Sequence, residues 1–570
     1  MARREGPDSI WDAEEGSVPL VELTIGDLVD RAAMLYGDAP ALVYDDAALG
    51  VELELTFLEA RAEARRVAKG LLALGIERGE HVAVWAPNLP EWVLLELSLG
   101  MIGAVLVAVN PLFRAAELRY VVEQGDVSTL FLWPGGGDRA PLAALEALPP
   151  GLLRRKPILL RGTADGVAAA QQPRPGQVGT FAELVDAGSI VTDRDLDRRQ
   201  AAVKPADAAQ IQYTSGTTGF PKGAVLSHRS IINNARLVAA RAGIGPGDRY
   251  ITAMPFFHTG GCVIGVLLSF HQGATLYPLI GFDAAKYLRV IANHRATVSC
   301  AVPAMLSAIL NHPSFTSGAV DASSLRLAMV GGAPVPVALM EEVKRRIGSD
   351  IVIVFGQTEA SPIVTQTLID DDFERKSATV GLPLPFTDVR IARPGSLDPV
   401  PVGERGELVA RGFGVMCGYY KMPERTAEAI VDGWLRTGDL ATMDARGYVN
   451  IVGRLKDMVI RGGENLFPVE IESVIAGHPA VAEVAVVGVP DERMGEELCA
   501  AVRLRPGAAL DAETLRAWCI EQMSRQKVPR DIRFVDGYPM TPSGKIKKFE
   551  LRMRLIDELG LRHLLDIRTA

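Results

Sequence analysis

TSGTTGFPKG, residues 214–223, stands directly behind QIQY at 210–213, a run that reads as a strand. Glycines at 216, 219 and 223 let the backbone come close to a polyphosphate. Thr214, Ser215, Thr217 and Thr218 supply hydroxyl donors, the amides of Gly216 and Gly219 add to them, and Lys222 adds a positive charge. The spacing differs from the Walker A order of G-x-x-x-x-G-K followed by Ser or Thr. A flexible Gly/Thr turn is the plain alternative. The concentration of donors around one lysine favours an anion-binding loop.

Working outward, strand and helix patterns alternate on both sides of this loop. Upstream, Ala60, Ala64, Val67, Ala68, Leu71 and Leu74 follow a helical period, with Gly75 as a stop. HVAVW at 81–85, LVAVN at 106–110 and TLFLW at 129–133 read as strands, with helices expected from Asn88-Leu-Pro-Glu and through Arg114–Gln124. Downstream, YITAM (250–254), TVSCAV (297–302), LAMV (327–330) and IVIVF (351–355) continue the series. This order implies an α/β fold, a large N-terminal domain of mostly parallel sheets flanked by helices. Residues 134–205, rich in Gly, Pro and Ala, are expected to form irregular connections around a strand and a helix. From about 455 the elements shorten and mix, with strands at 481–489 and 498–504, as in a small mobile α+β domain. The expected division is 1–454 and 455–570, and 570 residues in any case exceed one ordinary core.

Composition narrows the function. Hydrophobic residues make up 48% and charged residues 23%, as in soluble globular proteins, and the net charge of −9 argues against nucleic acid as a partner. Five dispersed cysteines without a CxxC pair fit neither a disulfide framework nor a zinc site. The first residues, MARREGPDSIWDAEEG, have no apolar signal core, and DIRTA at the end is no peroxisomal or lipidation address. Trp92–Val109 is mostly apolar, yet Glu96 and two glycines make it a buried helix running into a strand rather than a membrane span. The cytoplasm is the expected compartment.

Four further motifs follow in order: FGQTE (355–359), TGDL (437–440), GRLKDMVIRGGENLFPVEIE (453–472) and PSGKIKK (542–548). Together with 214–223 they cover nearly the whole chain, which resembles the adenylate-forming superfamily of acyl-CoA synthetases, aryl-CoA ligases, luciferases and peptide-synthetase adenylation domains. WAPNLPEW, NPLFR, RGGEN and DERMGEE are closest to medium-chain acyl-CoA synthetases. The resemblance implies a two-step ligase: ATP and a carboxylic acid give an acyl-AMP and pyrophosphate, then CoA gives the thioester and AMP. ATP, Mg²⁺ and CoA as co-substrate are the implied small molecules, and a homo-oligomer is compatible with it.

The same resemblance implies roles for particular residues. Phe355 stacks on adenine, where relatives more often carry Tyr; Gln357 and Thr358 complete that wall, Thr358 toward a phosphate oxygen. Glu359 offers a hard oxygen to Mg²⁺, which needs only one or two carboxylates. Asp439 accepts from the ribose hydroxyls with Arg454 beside it. Lys545 reaches the α-phosphate and substrate carboxylate, whereas Lys547 and Lys548 read as a solvated basic surface. Lys456 matches the hinge, and Gly462 and Gly463 the pantetheine passage. His258 in MPFFHTGG gates and positions the acid instead of acting as a base, because the carboxylate is already ionised at neutral pH. Phe256 and Phe257 wall the acyl pocket, and Gly331 and Gly332 border it. Gly356 deepens it, since acetate-restricted relatives carry a bulky aromatic there. Lys545, Lys222, Thr358 and His258 are thus the expected reaction-centre residues.

Three other readings share these motifs. A peptide-synthetase activator would want a carboxylate near PFFH, and none stands at 255–261. A luciferase-like oxygenase uses the same residues. A nucleotide sensor without catalysis would have no reason to keep Lys222, Glu359, Asp439 and Lys545 together.

Overall fold

Threonines open the first long helices. Thr24 caps Ile25–Tyr36 and Thr56 caps Phe57–Ala73, each accepting from the backbone of an acidic residue whose carboxylate returns to the cap. The third helix, Pro90–Ile102, starts on a proline and ends at Gly103, whose φ of +71° favours a residue without Cβ. It packs against both earlier helices and is buried nearly all round, which explains the unbroken apolar run. Among the described residues no helix is long and apolar enough to cross a membrane. These features come from a computed structural model that describes residues 8–13, 19–135, 140–161, 179–214, 221–462, 464–541 and 545–565.

The chain forms two compact units. The larger comprises 12–388 and 410–435 and contains two extended sheets. In one, Ala208–Thr214, Val105–Val109, His81–Trp85, Thr129–Leu132, Ile158–Leu159 and Gly179–Thr180 lie parallel in that spatial order. Lys222–Ser227 joins Ala208–Thr214 antiparallel, and Gly418–Tyr419 closes that edge. The other sheet runs parallel through Asp350–Gly356, Leu327–Gly331, Val298–Ala301, Arg249–Thr252, Thr275–Pro278 and Pro40–Asp46. Antiparallel strands end it on both sides, the hairpin partner Val51–Thr56 and the pair Ile363–Gln366 and Leu382–Pro383.

The smaller unit comprises 1–11, 389–409 and 436–570. Its five-stranded sheet is built around the long antiparallel pair Val481–Asp491 and Gly495–Leu504, with Asp531–Phe534 added in parallel. Pro468–Ala476 and Ala512–Gln522 contribute to one apolar cluster, and Lys548–Glu558 to another. This is the α/β architecture with a C-terminal α+β domain that the strand–helix alternation implies.

Residues 134–205 are more regular than expected. Three helices occupy the described part, Ala140–Glu146, Phe181–Ala187 and Asp193–Ala201. Thr180 with Glu183 makes a capping box, and Thr192 caps the third helix, so two threonines override the Gly/Pro-rich composition around them. QQPRPG and the second half of PGGG lie outside the described residues.

Candidate functional site

In the larger unit, Thr214 ends one strand and Lys222 begins the next, and the two residues face each other across the antiparallel pair. Ser215, Gly216, Thr217, Thr218 and Gly219 lie outside the described residues. Lys222 Nζ donates to the Tyr419 hydroxyl at 3.0 Å and sits 4.2 Å from its ring centroid. Tyr419 in turn donates to Glu359 Oε1 at 2.7 Å, and the Thr214 hydroxyl reaches the same oxygen at 3.4 Å. Two motifs distant in sequence thus meet: 214–223, through the end of one strand and the start of its neighbour, and FGQTE, through the short helix Thr358–Ala360. Among the described residues no three His, Cys, Asp or Glu form a metal cage. A single carboxylate with one oxygen already hydrogen-bonded suits Mg²⁺ carried in by a polyphosphate, which takes most of its ligands from phosphate and water.

FGQTE leaves the sheet through a register shift between Phe355 and Gly356. A Cβ at Gly356 would lie 1.9 Å from the Pro362 carbonyl oxygen, so glycine is required there by the backbone itself. Gln357 N–H donates to that same carbonyl at 2.9 Å, and Thr358 is buried. Buried Asn234 fastens the turn, donating to the Ile363 carbonyl at 2.8 Å and accepting from its N–H at 3.1 Å. Gly331 ends its strand against Val354, whose carbonyl a Cβ would meet at 2.4 Å, and Gly332 has φ +79°.

The MPFFH segment is anchored by a second buried amide. Asn88 donates to the carbonyls of Met254 and Leu279, each at 3.0 Å, and accepts from Phe256 N–H at 2.8 Å. Phe256 is wholly buried against Trp92 at a centroid separation of 5.3 Å, whereas Phe257 is half-buried. His258 caps the next helix: its Nδ1 accepts from Gly260 N–H at 3.0 Å, which puts the proton of a neutral ring on Nε2. A π-helical turn, Cys262–Leu267, follows.

In the smaller unit, Asp439 and Arg454 are opposite one another on paired strands, and Arg454 Nε meets Asp439 Oδ1 at 2.7 Å. Asp439 Oδ2 is buried and has no hydrogen-bond partner among the described residues. Burial pushes this carboxyl above its ordinary range, opposed by the charges of Arg454, Lys545 and Lys456. TGDL, GRLK and PSGK therefore contribute to one electrostatic neighbourhood. Lys456 is exposed in the turn Leu455–Asp457. Lys545 is held by its backbone, its N–H donating to the Thr541 hydroxyl at 2.9 Å. Gly462 has φ +59°, and a Cβ there would meet the Met494 methyl; Gly463 lies outside the described residues. One expectation is corrected: Lys548 is not a solvated cation but pairs with Glu472 at 2.6 Å in a largely covered position, while Lys547 pairs with Glu550 on the surface.

The sequence reading missed three positioning groups. Asn88 reads in the sequence as a helix start, and neither Asn234 nor Tyr419 belongs to a motif. For the asparagines the available signal was a polar amide on an otherwise apolar helical or strand-flanking face; for Tyr419 it was GYY at 418–420.

The description "AMP-binding enzyme" matches residues 29–420, and "AMP-binding enzyme C-terminal domain" matches 470–545. The chain belongs to this adenylate-forming family. It is 41% identical to YngI of Bacillus subtilis (strain 168), over 95% of this chain and 99% of that protein. It is 36% identical to the mitochondrial medium-chain acyl-CoA ligase ACSF2 of Mus musculus, over 95% of this chain and 89% of that one. Among solved structures, ATP-bound MatB from Rhodopseudomonas palustris superposes with a TM-score of 0.81 at 29% identity, covering 94% of this chain and 100% of the other.

Proposed function

We propose that this AMP-forming acyl-CoA synthetase takes a carboxylic acid of medium length, or one of similar bulk, and works in the cytoplasm. The observation that carries the reading is the convergence of Thr214, Lys222 and Glu359 in a chain that matches a medium-chain ligase along 95% of its length. ATP, the acid and CoA are its substrates. Lys222 and Thr358 bind phosphate oxygens, Phe355 and Gln357 hold the adenine, and the unpartnered oxygen of Asp439 accepts from the ribose hydroxyls with Arg454 beside it. The donors of 214–219 wrap the polyphosphate. Glu359 would hold Mg²⁺, which neutralises charge on the phosphates.

In the first half-reaction a carboxylate oxygen of the acid attacks the α-phosphorus, the bond to the β-phosphate oxygen breaks, and pyrophosphate leaves. Lys545 and Lys222 stabilise the charge that spreads over the phosphoryl oxygens. The thiolate of CoA then attacks the acyl carbonyl and AMP departs with the carboxylate oxygen that had bridged to phosphorus. Residues 455–570 act as the mobile domain, turning at Lys456 between the two steps, with Gly462 and Gly463 lining the thiol passage. His258 orients the acid through its Nε2 proton, beside Phe256, Phe257, Gly331 and Gly332.

Pyrophosphate release across a panel of acids, with and without CoA, tests this reading. Activity should rise from acetate toward octanoate, by about fourfold for each methylene buried at ~0.8 kcal/mol. Acyl-CoA should form only when CoA is present. Preference for acetate overturns the chain-length assignment, and ATP turnover without thioester overturns the ligase assignment.

A further inference from the structure

Tyr419 stands between the lysine and the carboxylate that the reading above assigns to phosphate and Mg²⁺. Its hydroxyl accepts from Lys222 Nζ at 3.0 Å and donates to Glu359 Oε1 at 2.7 Å. The side chain is only 7% exposed, and its position is fixed from both sides. Tyr419 N–H donates to the Thr426 hydroxyl at 2.9 Å, and neighbouring Cys417 and Tyr420 donate their N–H groups to the carbonyls of Val225 and Gly223. The strand Gly418–Tyr419 is thereby bound to the strand that Lys222 begins, with Ala224 opposite Tyr419.

We propose that Tyr419 is a positioning residue of the nucleotide site, whose hydroxyl keeps Lys222 and Glu359 engaged but apart, so that the lysine remains open to phosphate and the carboxylate to the divalent cation. The inference rests on the acid-activating reading. A lysine and a carboxylate that both reach one hydroxyl are close enough to pair directly once that hydroxyl is gone. A direct ion pair would occupy the charges that a polyphosphate and its metal need. A neutral phenol forms hydrogen bonds with both groups while cancelling neither charge.

The test is ATP binding by isothermal titration, with saturating Mg²⁺ and separately in EDTA, for wild type, Tyr419→Phe, Glu359→Gln and the double variant. Phenylalanine keeps the ring under Lys222 and the backbone contacts, so the thermal melt should match wild type. Expected is a loss of about tenfold in Mg-ATP affinity for Tyr419→Phe, the scale of one hydrogen bond to a charged group. The loss should be clearly smaller in EDTA, and the double variant should bind no worse than Glu359→Gln alone. If Glu359→Gln leaves the Mg²⁺ dependence unchanged, the metal assignment falls and this inference with it. If Glu359→Gln abolishes the Mg²⁺ dependence but Tyr419→Phe binds like wild type, or loses equally with and without Mg²⁺, only the role of Tyr419 falls.

Discussion

Glu96 offers a measurable consequence of burying a carboxyl in the core beside the strand Ala208–Thr214. It is 1% exposed on the helix Pro90–Ile102 and accepts from Gln210 Nε2 at 2.6 Å, while its second oxygen is buried with no partner among the described residues. Gln212 extends the chain, donating to Gln210 Oε1 at 2.8 Å and lying 3.4 Å from Cys262 Sγ. Burial drives the Glu96 pKa well above the ordinary value, only partly offset by the Gln210 hydrogen bond. The sign follows from linkage. Below the unfolded-state pKa both states carry the proton, and the group contributes its full stability there. As pH rises past that value the unfolded chain releases the proton and the folded chain keeps it. Stability then falls by about 1.4 kcal/mol per pH unit until the folded pKa is reached. Glu96→Gln keeps the shape and the acceptor for Gln210 but does not titrate. The variant should therefore equal wild type near pH 4 and exceed it progressively, by about 1.4 kcal/mol for each pH unit up to the folded pKa. Urea denaturation of both proteins from pH 4.5 to 7.5 measures the gap. Parallel curves would mean that Glu96 titrates alike in both states and would refute the argument. Glu96→Leu should instead lose roughly 1–3 kcal/mol, because it strands the Gln210 amide.

Other substitutions separate the roles proposed for single residues. Lys545→Ala should lower pyrophosphate release by about 100- to 1,000-fold while sparing thioester formation from supplied acyl-AMP; equal loss in both steps would contradict its role. Lys456→Pro should do the reverse, because a fixed φ restricts rotation in the turn Leu455–Asp457, and a normal thioester rate would remove it from the hinge. Gly356→Ala should reduce stability by about 1–3 kcal/mol and activity toward all acids alike, since its Cβ would meet the Pro362 carbonyl at 1.9 Å. A changed octanoate-to-acetate ratio in a fully stable Gly356→Ala protein would show that this backbone yields and that the residue bounds the acyl chain.

Periodicity made the sheets legible because each strand is short, apolar and followed by a helix with its own start signal. HVAVW became His81–Trp85 with no shift, and IVIVF grew by only one residue at each end into Asp350–Gly356. The hairpin Pro40–Asp46 and Val51–Thr56 went unread because its turn lacks an Asn-Gly or Asp-Gly pair, although VELELT alternates as a half-buried strand does. Motifs located the groups that carry charge, but not those that aim them. The side chains of Asn88, Asn234 and Tyr419 act through hydrogen bonds to residues 60 to 197 positions away, as in the Tyr419–Glu359 and Lys222–Tyr419 contacts, and no local pattern encodes such a partner. Gly356 shows the opposite case: the residue was singled out, but its first physical requirement is the approach of the Pro362 carbonyl.

Activation bonds the acid's own oxygen to the α-phosphorus of ATP. Octanoate labelled with ¹⁸O in both carboxyl positions, incubated with the enzyme, Mg-ATP and CoA, tests it directly by mass spectrometry of the products. The account predicts one ¹⁸O in AMP, one in the thioester carbonyl and none in pyrophosphate. Label in inorganic phosphate alongside ADP, or AMP without label, would contradict it.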